Sequence, residues 1–220
     1  MSGPKPVVIV LHGPAGAGKD AVIDLVRART GINRATSSTT RPPREGEHHG
    51  DHYYFLSREE FEDGITAGDF AEWANVYDDL KGVHRSEIEG PISRGEDLII
   101  RTDVQGAREW RKRLTGAVFV FLMAEDADPD KSREALRSRL LARKSETPES
   151  LARRLAEFNE ELADIPNNDH VVVNRNGHLE DAVHDIETIV ERERANPGRG
   201  VPRLLASGSA AKPPGGDVGS

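Results

Sequence analysis

The 220-residue sequence contains no cysteine and no long apolar run. Without cysteine, disulfide scaffolds and cysteine-ligated metal sites are excluded, which fits a reducing cytosol. The longest apolar run near the N-terminus, Val7 to Leu11, has five residues, whereas a membrane-spanning helix needs about 20 and a secretory signal needs a longer apolar core. We therefore expect a cytoplasmic protein with no membrane partner.

Positively charged residues are also fewer than negatively charged ones. Lysine and arginine number 30 against 38 aspartate and glutamate residues, which gives a formal net charge of −8. Because domains that bind a nucleic-acid backbone are usually basic, no nucleic-acid partner is expected. The length suits one well-cored domain with insertions. The sequence carries no signal for an oligomeric state.

Four short apolar runs recur along the chain, namely Val7 to Leu11, Leu98 to Ile100, Val118 to Leu122 and Val171 to Val173. They are continuous rather than alternating and rich in β-branched residues, which is typical of strands buried on both faces of a parallel sheet. Helical patterns lie between or after them, at residues 21–28, 107–114, 133–143, 149–162 and 179–192. This alternation predicts an α/β fold with right-handed crossovers.

The stretch from Thr36 to Arg85 breaks the alternation, because it is polar and contains all three tyrosines. We interpret it as an inserted α+β subdomain with a helix near residues 59–66. The prediction is one domain over residues 1–195, with a core (1–34, 86–127, 163–195), a subdomain (35–85) and a helical lid (128–162). Residues 196–220 are rich in glycine and proline, which predicts a disordered tail.

A glycine-rich segment follows the first apolar run and opens a helix: Gly13-Pro14-Ala15-Gly16-Ala17-Gly18-Lys19-Asp20. It has the Walker A spacing G-x-x-x-x-G-K. The glycines let backbone N–H groups curl around phosphate oxygens, and the helix N-terminus adds partial positive charge. Lys19 supplies a full charge for the outer phosphates. The segment therefore predicts a phosphate-binding loop.

The loop departs from its motif at Asp20, where serine or threonine normally ligates Mg²⁺. A carboxylate is also a hard oxygen ligand, so Asp20 is a candidate metal ligand. The alternative is that Asp20 only caps the helix N-terminus.

Further motifs follow the loop in order: Ser37 to Glu47 (SSTTRPPREGE), Gly50 to Phe55 (GDHYYF), Phe70 to Ala74 (FAEWA) and Asp103 to Ala107 (DVQGA). Together with the Walker A loop, over about residues 7–193, the sequence resembles guanylate kinase. The resemblance implies a P-loop NTP hydrolase-like parallel sheet flanked by helices, an inserted GMP-binding α+β subdomain and a helical lid. It also implies phosphorylation of GMP, and of dGMP, to the diphosphate in purine nucleotide metabolism, with ATP and Mg²⁺.

The resemblance assigns GMP binding to Ser37, Arg41, Arg44, Tyr53, Glu72, Lys81 and Asp103. Two guanidinium forks and the Tyr53 hydroxyl suit a dianionic phosphate. Glu72 matches the family's glutamate whose carboxylate accepts the N1–H and N2–H donors of guanine, and Ser37 matches the serine that contacts O6. Adenine lacks these paired donors, so Glu72 would discriminate against it.

The resemblance also assigns phosphoryl-transfer roles to lid arginines. Arg139 and Arg143 are four positions apart on one helix face, and Arg154 lies in the next helix. With Lys19 they form the expected catalytic set, because phosphoryl transfer depends on positioning and charge stabilisation. Asn174 matches an adenine-side asparagine, which places it with the loop residues in the expected ATP site.

Some positions depart from the family pattern. Arg101 stands where an acid near the metal is usual, and we hypothesise that it compensates for Asp20. Either Asp20 replaces the metal-binding hydroxyl, or Asp20 pairs with Arg101 across adjacent strand ends. Lys81 and Val83 replace a phosphate-contacting tyrosine and a base-contacting threonine or serine. Lys81 remains a candidate phosphate contact, whereas the Val83 side chain has no hydrogen-bonding group.

Two other functions remain open. A ribose 1,5-bisphosphate phosphokinase also carries Gly-Lys-Asp in its loop, but it has no base to read, and the set from Ser37 to Glu72 argues against it. A non-catalytic guanylate-kinase-like module would bind protein partners in the same cleft, and the retained Lys19 argues against that. The neighbouring His48, His49 and His52 are interpreted as exposed loop residues rather than a metal site.

Overall fold

A computed structural model describes residues 5–76, 79–126, 128–142 and 148–205. The strands are β1 (Val8–His12), β2 (Asn33–Arg34), β3 (Ser37–Thr39), β4 (Tyr54–Phe55), β5 (Phe70–Val76), β6 (Asp79–His84), β7 (Leu98–Arg101), β8 (Leu114–Thr115), β9 (Val118–Ala124), β10 (His170–Asn174) and β11 (Arg203–Leu204). The helices are α1 (Lys19–Thr30), α2 (Arg58–Ala67), α3 (Arg85–Arg94), α4 (Val104–Arg113), α5 (Pro129–Ala142), α6 (Pro148–Leu162) and α7 (Leu179–Ala195), with a 3₁₀ turn at Ile165–Asn167. None of the helices in the described ranges is long and apolar enough to cross a membrane.

The central sheet is parallel and has the order β10-β9-β1-β7-β2. Successive residues of β1 bury opposite faces of this sheet, as strand geometry requires. Ile9 packs in a cluster with Val22 of α1 and Ile186 of α7, whereas Val10 packs with Trp110 of α4 on the other face. The predicted α/β fold with helices on both faces of a parallel sheet is confirmed. The carboxyl ends of β1, β2, β7 and β10 meet at one edge, where ligands of such sheets bind.

A second sheet, of order β4-β3-β6-β5, forms the inserted subdomain. Helix α2 covers this sheet by packing Phe61 and Ile65 against Phe70 and Leu80. The helix begins with a capping box, in which Ser57 and Glu60 bond reciprocally. The expected helix near residues 59–66 is present, whereas α3 was not identified from the sequence, because Pro91 interrupts its pattern.

Residues 196–205 differ from the expected disordered tail. Strand β11 pairs with β8, and the residue Arg199 is only 8% exposed. Its guanidinium donates to the carbonyls of Glu193, Gly116 and Lys5 at 2.8, 3.4 and 3.3 Å. The expectation rested on glycine and proline content, but here one arginine holds the segment in place by donating to three carbonyls. The remainder of the predicted tail, 206–220, lies outside the described residues.

Replacing Arg199 by methionine is expected to lower the free energy of unfolding by about 2–3 kcal/mol, because three carbonyls lose a charged donor. Urea denaturation measures this change. The matched control is Arg203→Met, on the exposed side of β11, with a change within about 0.5 kcal/mol. Equal stability of the two variants would contradict an anchoring role for Arg199.

Candidate active site

The phosphate-binding loop connects β1 to α1 at the carboxyl edge of the central sheet. Gly13 and Gly18 have φ angles of 139° and 93°, a region that favours glycine. A Cβ atom at Gly13 would collide with the Leu122 carbonyl, and one at Gly18 with the Asn174 amide. The loop therefore needs glycine at both positions for its close approach to β9 and β10.

Lys19 lies inside the loop rather than in solvent. Its ammonium donates to the Gly13 carbonyl and, at 3.0 Å, to that of Pro14. Burial lowers the pKa of Lys19 below its ordinary value, and repulsion from Arg101 adds to the effect. An incoming phosphate would oppose both effects, since it supplies a compensating negative charge.

Helix α5, which lies in the predicted lid, contacts the loop through Arg139. The guanidinium of Arg139 donates to the Asn174 carbonyl at 2.8 Å and to the Ala17 carbonyl at 3.3 Å. The side-chain amide of Asn174 also donates to Ala17, at 2.8 Å. In this conformation Arg139 and Asn174 brace the loop itself, and the adenine-side role of Asn174 stays a prediction.

The other two lid arginines are placed differently. Arg143 lies outside the described residues. Arg154 lies on α6, and its charge acts to lower the pKa of Glu161, the penultimate residue of that helix. Burial outweighs this influence and that of Lys19, so the pKa of Glu161 is raised. Glu161 was missed in the sequence because no motif marks it, although it places the end of α6 within the electrostatic reach of the loop lysine.

Two arginines hold the carboxylate of Asp20. Its Oδ1 atom lies 2.8 Å from Nε of Arg101 and 3.0 Å from a terminal nitrogen of Arg34. The structure therefore has the ion pair that was one of the two hypotheses for Asp20. Arg34, which also contacts Asp24 at 3.2 Å, was missed because no motif includes it.

This arrangement does not suit Asp20 as the protein ligand of Mg²⁺. Both guanidinium groups compete with a cation for the same oxygen. Within the described ranges, no group of three or more His, Cys, Asp or Glu side chains is placed to hold a metal ion. The assignment of Asp20 as a metal ligand therefore does not fit the charges around it. His48, His49 and His52 are exposed, as expected.

The predicted base-binding residues lie on neighbouring strands. In the strand register, Ser37 of β3 is opposite Val83 of β6, which is opposite Glu72 of β5. Ser37 and Glu72, far apart in sequence, thus flank the same position of the middle strand. Val83 itself is buried, in agreement with its lack of a polar group.

The carboxyl group of Glu72 is strongly perturbed. Burial raises its pKa to about 7, and the negative charge of Asp103 acts in the same direction, while Arg113 opposes them. Asp103 is the N-cap of α4, where its Oδ1 accepts from the Gly106 amide at 2.8 Å. Arg113 was missed in the sequence; it donates to the Ala71 carbonyl, next to Glu72, at 3.0 Å.

Cations gather around Tyr53. The guanidinium carbon of Arg41 lies 5.6 Å from the Tyr53 ring centre, and the Lys81 ammonium 5.9 Å. Arg101 donates to the Tyr53 hydroxyl at 3.5 Å. We call Tyr53, Arg41, Lys81 and Arg101 the Tyr53 cluster.

The turn next to this cluster is closed by Glu47. Its carboxylate accepts from Arg41 at 2.9 Å and from the backbone N–H of Arg44 at 2.8 Å. Glu47 thus links the side chain of Arg41, at the start of the turn, to the backbone of Arg44, in its middle. Of the two predicted phosphate-clamping arginines, Arg41 reaches the cluster, whereas Arg44 lies in the exposed turn.

Comparisons with known proteins agree with this geometry. The family model "Guanylate kinase" matches residues 4–193. The chain is 41% identical to a guanylate kinase of Symbiobacterium thermophilum, with 92% of each chain covered, and 36% identical to one of Clostridium tetani, with 92% and 94% covered. It is also 41% identical to "Guanylate kinase 2, chloroplastic/mitochondrial" of Oryza sativa over 87% of this chain, and it spans 66% of that protein's length.

A solved structure supports the same relationship. The crystal structure of guanylate kinase from Anaplasma phagocytophilum matches with a TM-score of 0.69 and 26% identity, over 89% of this chain and 90% of that one. The phosphate-binding loop, the inserted sheet and helices α5 and α6 lie within residues 4–193, the range that the family model matches. The chain belongs to the guanylate kinase family.

Proposed function

We propose that this member of the family transfers the γ-phosphoryl group of ATP to GMP and dGMP. A phosphate oxygen of the acceptor forms a bond to the γ-phosphorus, the bond to the β–γ bridging oxygen breaks, and ADP leaves with that electron pair. No general base is required, because the acceptor phosphate is already ionised at neutral pH. The protein contributes positioning and charge stabilisation.

One observation carries this proposal. The negative charge of Asp103 acts on both Lys19 and Glu72, although burial is the larger cause of each pKa shift. Asp103 thus lies within electrostatic reach of both the loop lysine and the predicted guanine carboxylate, which supports a single cleft between them. That is the arrangement that transfer between a triphosphate and a purine monophosphate requires.

The proposed division of labour follows from the side chains. The loop from Gly13 to Asp20 holds the ATP phosphates, with Lys19 at their outer end. The Tyr53 cluster, with Arg44, binds the acceptor phosphate, and Ser37, Glu72 and Asp103 bind the guanine side. Arg139, Arg143 and Arg154 belong to the lid that excludes water during transfer. Mg²⁺, when it accompanies ATP, neutralises phosphate charge.

An ADP-release assay with ATP and Mg²⁺ tests the proposal. GMP, dGMP, AMP and ribose 1,5-bisphosphate are offered separately. We expect turnover with GMP and dGMP, and a kcat/KM for AMP lower by at least about a hundredfold, because adenine leaves Glu72 without its two donors. Preference for ribose 1,5-bisphosphate would assign a different acceptor. GMP binding without any turnover would indicate a non-catalytic binding module.

A further inference from the structure

Arg101 occupies the boundary between the phosphate-binding loop and the acceptor subdomain. It ends β7 at the carboxyl edge of the central sheet. One nitrogen of its guanidinium, Nε, faces Asp20 in the first turn of α1 at 2.8 Å, and another, Nη1, faces the Tyr53 hydroxyl at 3.5 Å. A single planar group thus contacts both halves of the cleft, and its planarity fixes the direction of its remaining donors.

Asp20 and Arg34 support the position of Arg101. Arg34 lies on β2, in register with the β7 residue Ile99, and binds the same Asp20 oxygen at 3.0 Å. Its other terminal nitrogen binds Asp24, one helical turn further along α1. Asp20 is partly exposed, so each pair alone adds little stability. What the network supplies is a defined orientation for Arg101.

Positive charge accumulates in front of Arg101. Arg41 and Lys81 lie on the same Tyr53 ring, and repulsion from Arg101 contributes to the lowered pKa of Lys19, after burial. Glu47 offsets the charge of Arg41 and Asp20 that of Arg101, and the positive charge that remains favours the binding of a further anion. A dianionic phosphate next to Tyr53 would accept from these donors and relieve the repulsion.

We propose that Arg101 is a further catalytic residue, one that contacts the acceptor phosphate, and that Asp20 and Arg34 are its positioning residues. The inference rests on the proposed function, because it takes GMP as the acceptor. It also accounts for the poor fit of Asp20 to a metal: the carboxylate orients a fixed guanidinium cation. Asp20, at the last position of the loop, and Arg101, at the end of β7, then act together on the acceptor phosphate.

Comparing GMP with guanosine isolates the phosphate contribution. Affinities are measured by calorimetry on the full chain without ATP or Mg²⁺, with guanosine also tested in competition with GMP. Arg101→Gln is expected to weaken GMP binding about 10- to 100-fold, as loss of a charge-assisted hydrogen bond does, and guanosine binding less than about twofold. Asp20→Asn is expected to weaken GMP binding by a smaller factor and to leave guanosine binding unchanged.

Arg94→Gln is the matched control for charge, because Arg94 is exposed in the last turn of α3 and pairs with its near neighbour Glu96. GMP affinity in this variant should stay within about twofold. Arg101→Lys keeps the charge without the planar fork. It replaces Arg101→Gln in the affinity measurement if Arg101→Gln does not fold. A selective loss of GMP affinity in Arg101→Lys supports the proposal.

Three results would overturn the proposal. Unchanged GMP affinity in Arg101→Gln, or in Arg101→Lys where only that variant folds, would show that Arg101 does not contact the acceptor phosphate. Equal losses for GMP and guanosine indicate a structural role. A parent protein that binds no GMP overturns the proposed function as well, whereas the first two results leave GMP phosphorylation by the parent protein intact.

Discussion

Replacing Lys19 by methionine is expected to lower kcat for ADP release about a hundred- to a thousandfold. Lys19 is held by the Gly13 and Pro14 carbonyls, so its ammonium is already desolvated and oriented before ATP binds. A preorganised charge of this kind costs no reorganisation when negative charge develops on the transferring phosphoryl group. Methionine has a similar length but no charge, so the loss reports on the charge itself.

Protein stability separates this effect from unfolding. The Gly13 and Pro14 carbonyls lose their donor in this variant, so its melting temperature is expected to fall by a few degrees, and kcat is compared at a temperature at which both proteins are folded. Lys112→Met is the matched control, because Lys112 is exposed in the last turn of α4 and its loss should leave kcat unchanged. If Lys19→Met kept a third or more of the parent activity, the outer phosphates of ATP would have to bind elsewhere.

Replacing Glu72 by glutamine is expected to lower kcat/KM for GMP about a hundredfold or more. The guanine edge offers two donors, N1–H and N2–H, and an ionised carboxylate accepts both. Glutamine presents one acceptor and one donor, so one pair becomes donor against donor in a buried place. The effect is measured with GMP as the varied substrate, and Glu59→Gln, on the exposed first turn of α2, is the control.

The raised pKa of Glu72 also predicts a pH dependence. With a pKa of about 7 in the free protein, Glu72 is largely protonated at pH 6 and largely ionised at pH 8. Guanine requires the ionised form, so affinity rises with pH and binding releases a proton below pH 7. The expected gain is about tenfold between pH 6 and pH 8.

Guanosine is the ligand for this measurement, because a phosphate monoester itself titrates near pH 6. The three other charged groups that influence Glu72 are Asp103, Glu109 and Arg113. In Glu72→Gln the profile should become flat. A flat profile in the parent protein would show that the carboxyl is ionised throughout and would contradict the assigned pKa.

Local sequence patterns predicted much of the framework. The buried strands of the parallel sheet follow from continuous β-branched runs such as Val118 to Leu122, since only a strand covered on both faces needs apolar residues at consecutive positions. The loop from Gly13 to Lys19 follows from glycine spacing, since its positive φ angles exclude most other residues. Helix α2 was expected near residues 59–66, and its capping box lies within four consecutive residues. Each of these signals lies within about a dozen residues.

Contacts between residues far apart in the chain could not be predicted from local sequence patterns. The sequence suggested two arrangements for Asp20 without deciding between them, and it did not indicate Arg34 at all. The choice depends on where β2 and β7 end relative to α1, which only the packed sheet determines. The same holds for Arg113, whose contact with Ala71 joins residues 42 positions apart.

The sequence by itself determined the α/β class, the phosphate-binding loop and the family resemblance, because short motifs and periodicities encode them locally. The tertiary structure decided that Asp20 pairs with two arginines, that burial brings the pKa of Glu72 to about 7, and that Arg199 anchors residues 196–205. These properties depend on desolvation and on the distance between charges. Both arise only when segments far apart in the chain, such as Lys5 and Arg199, are brought together.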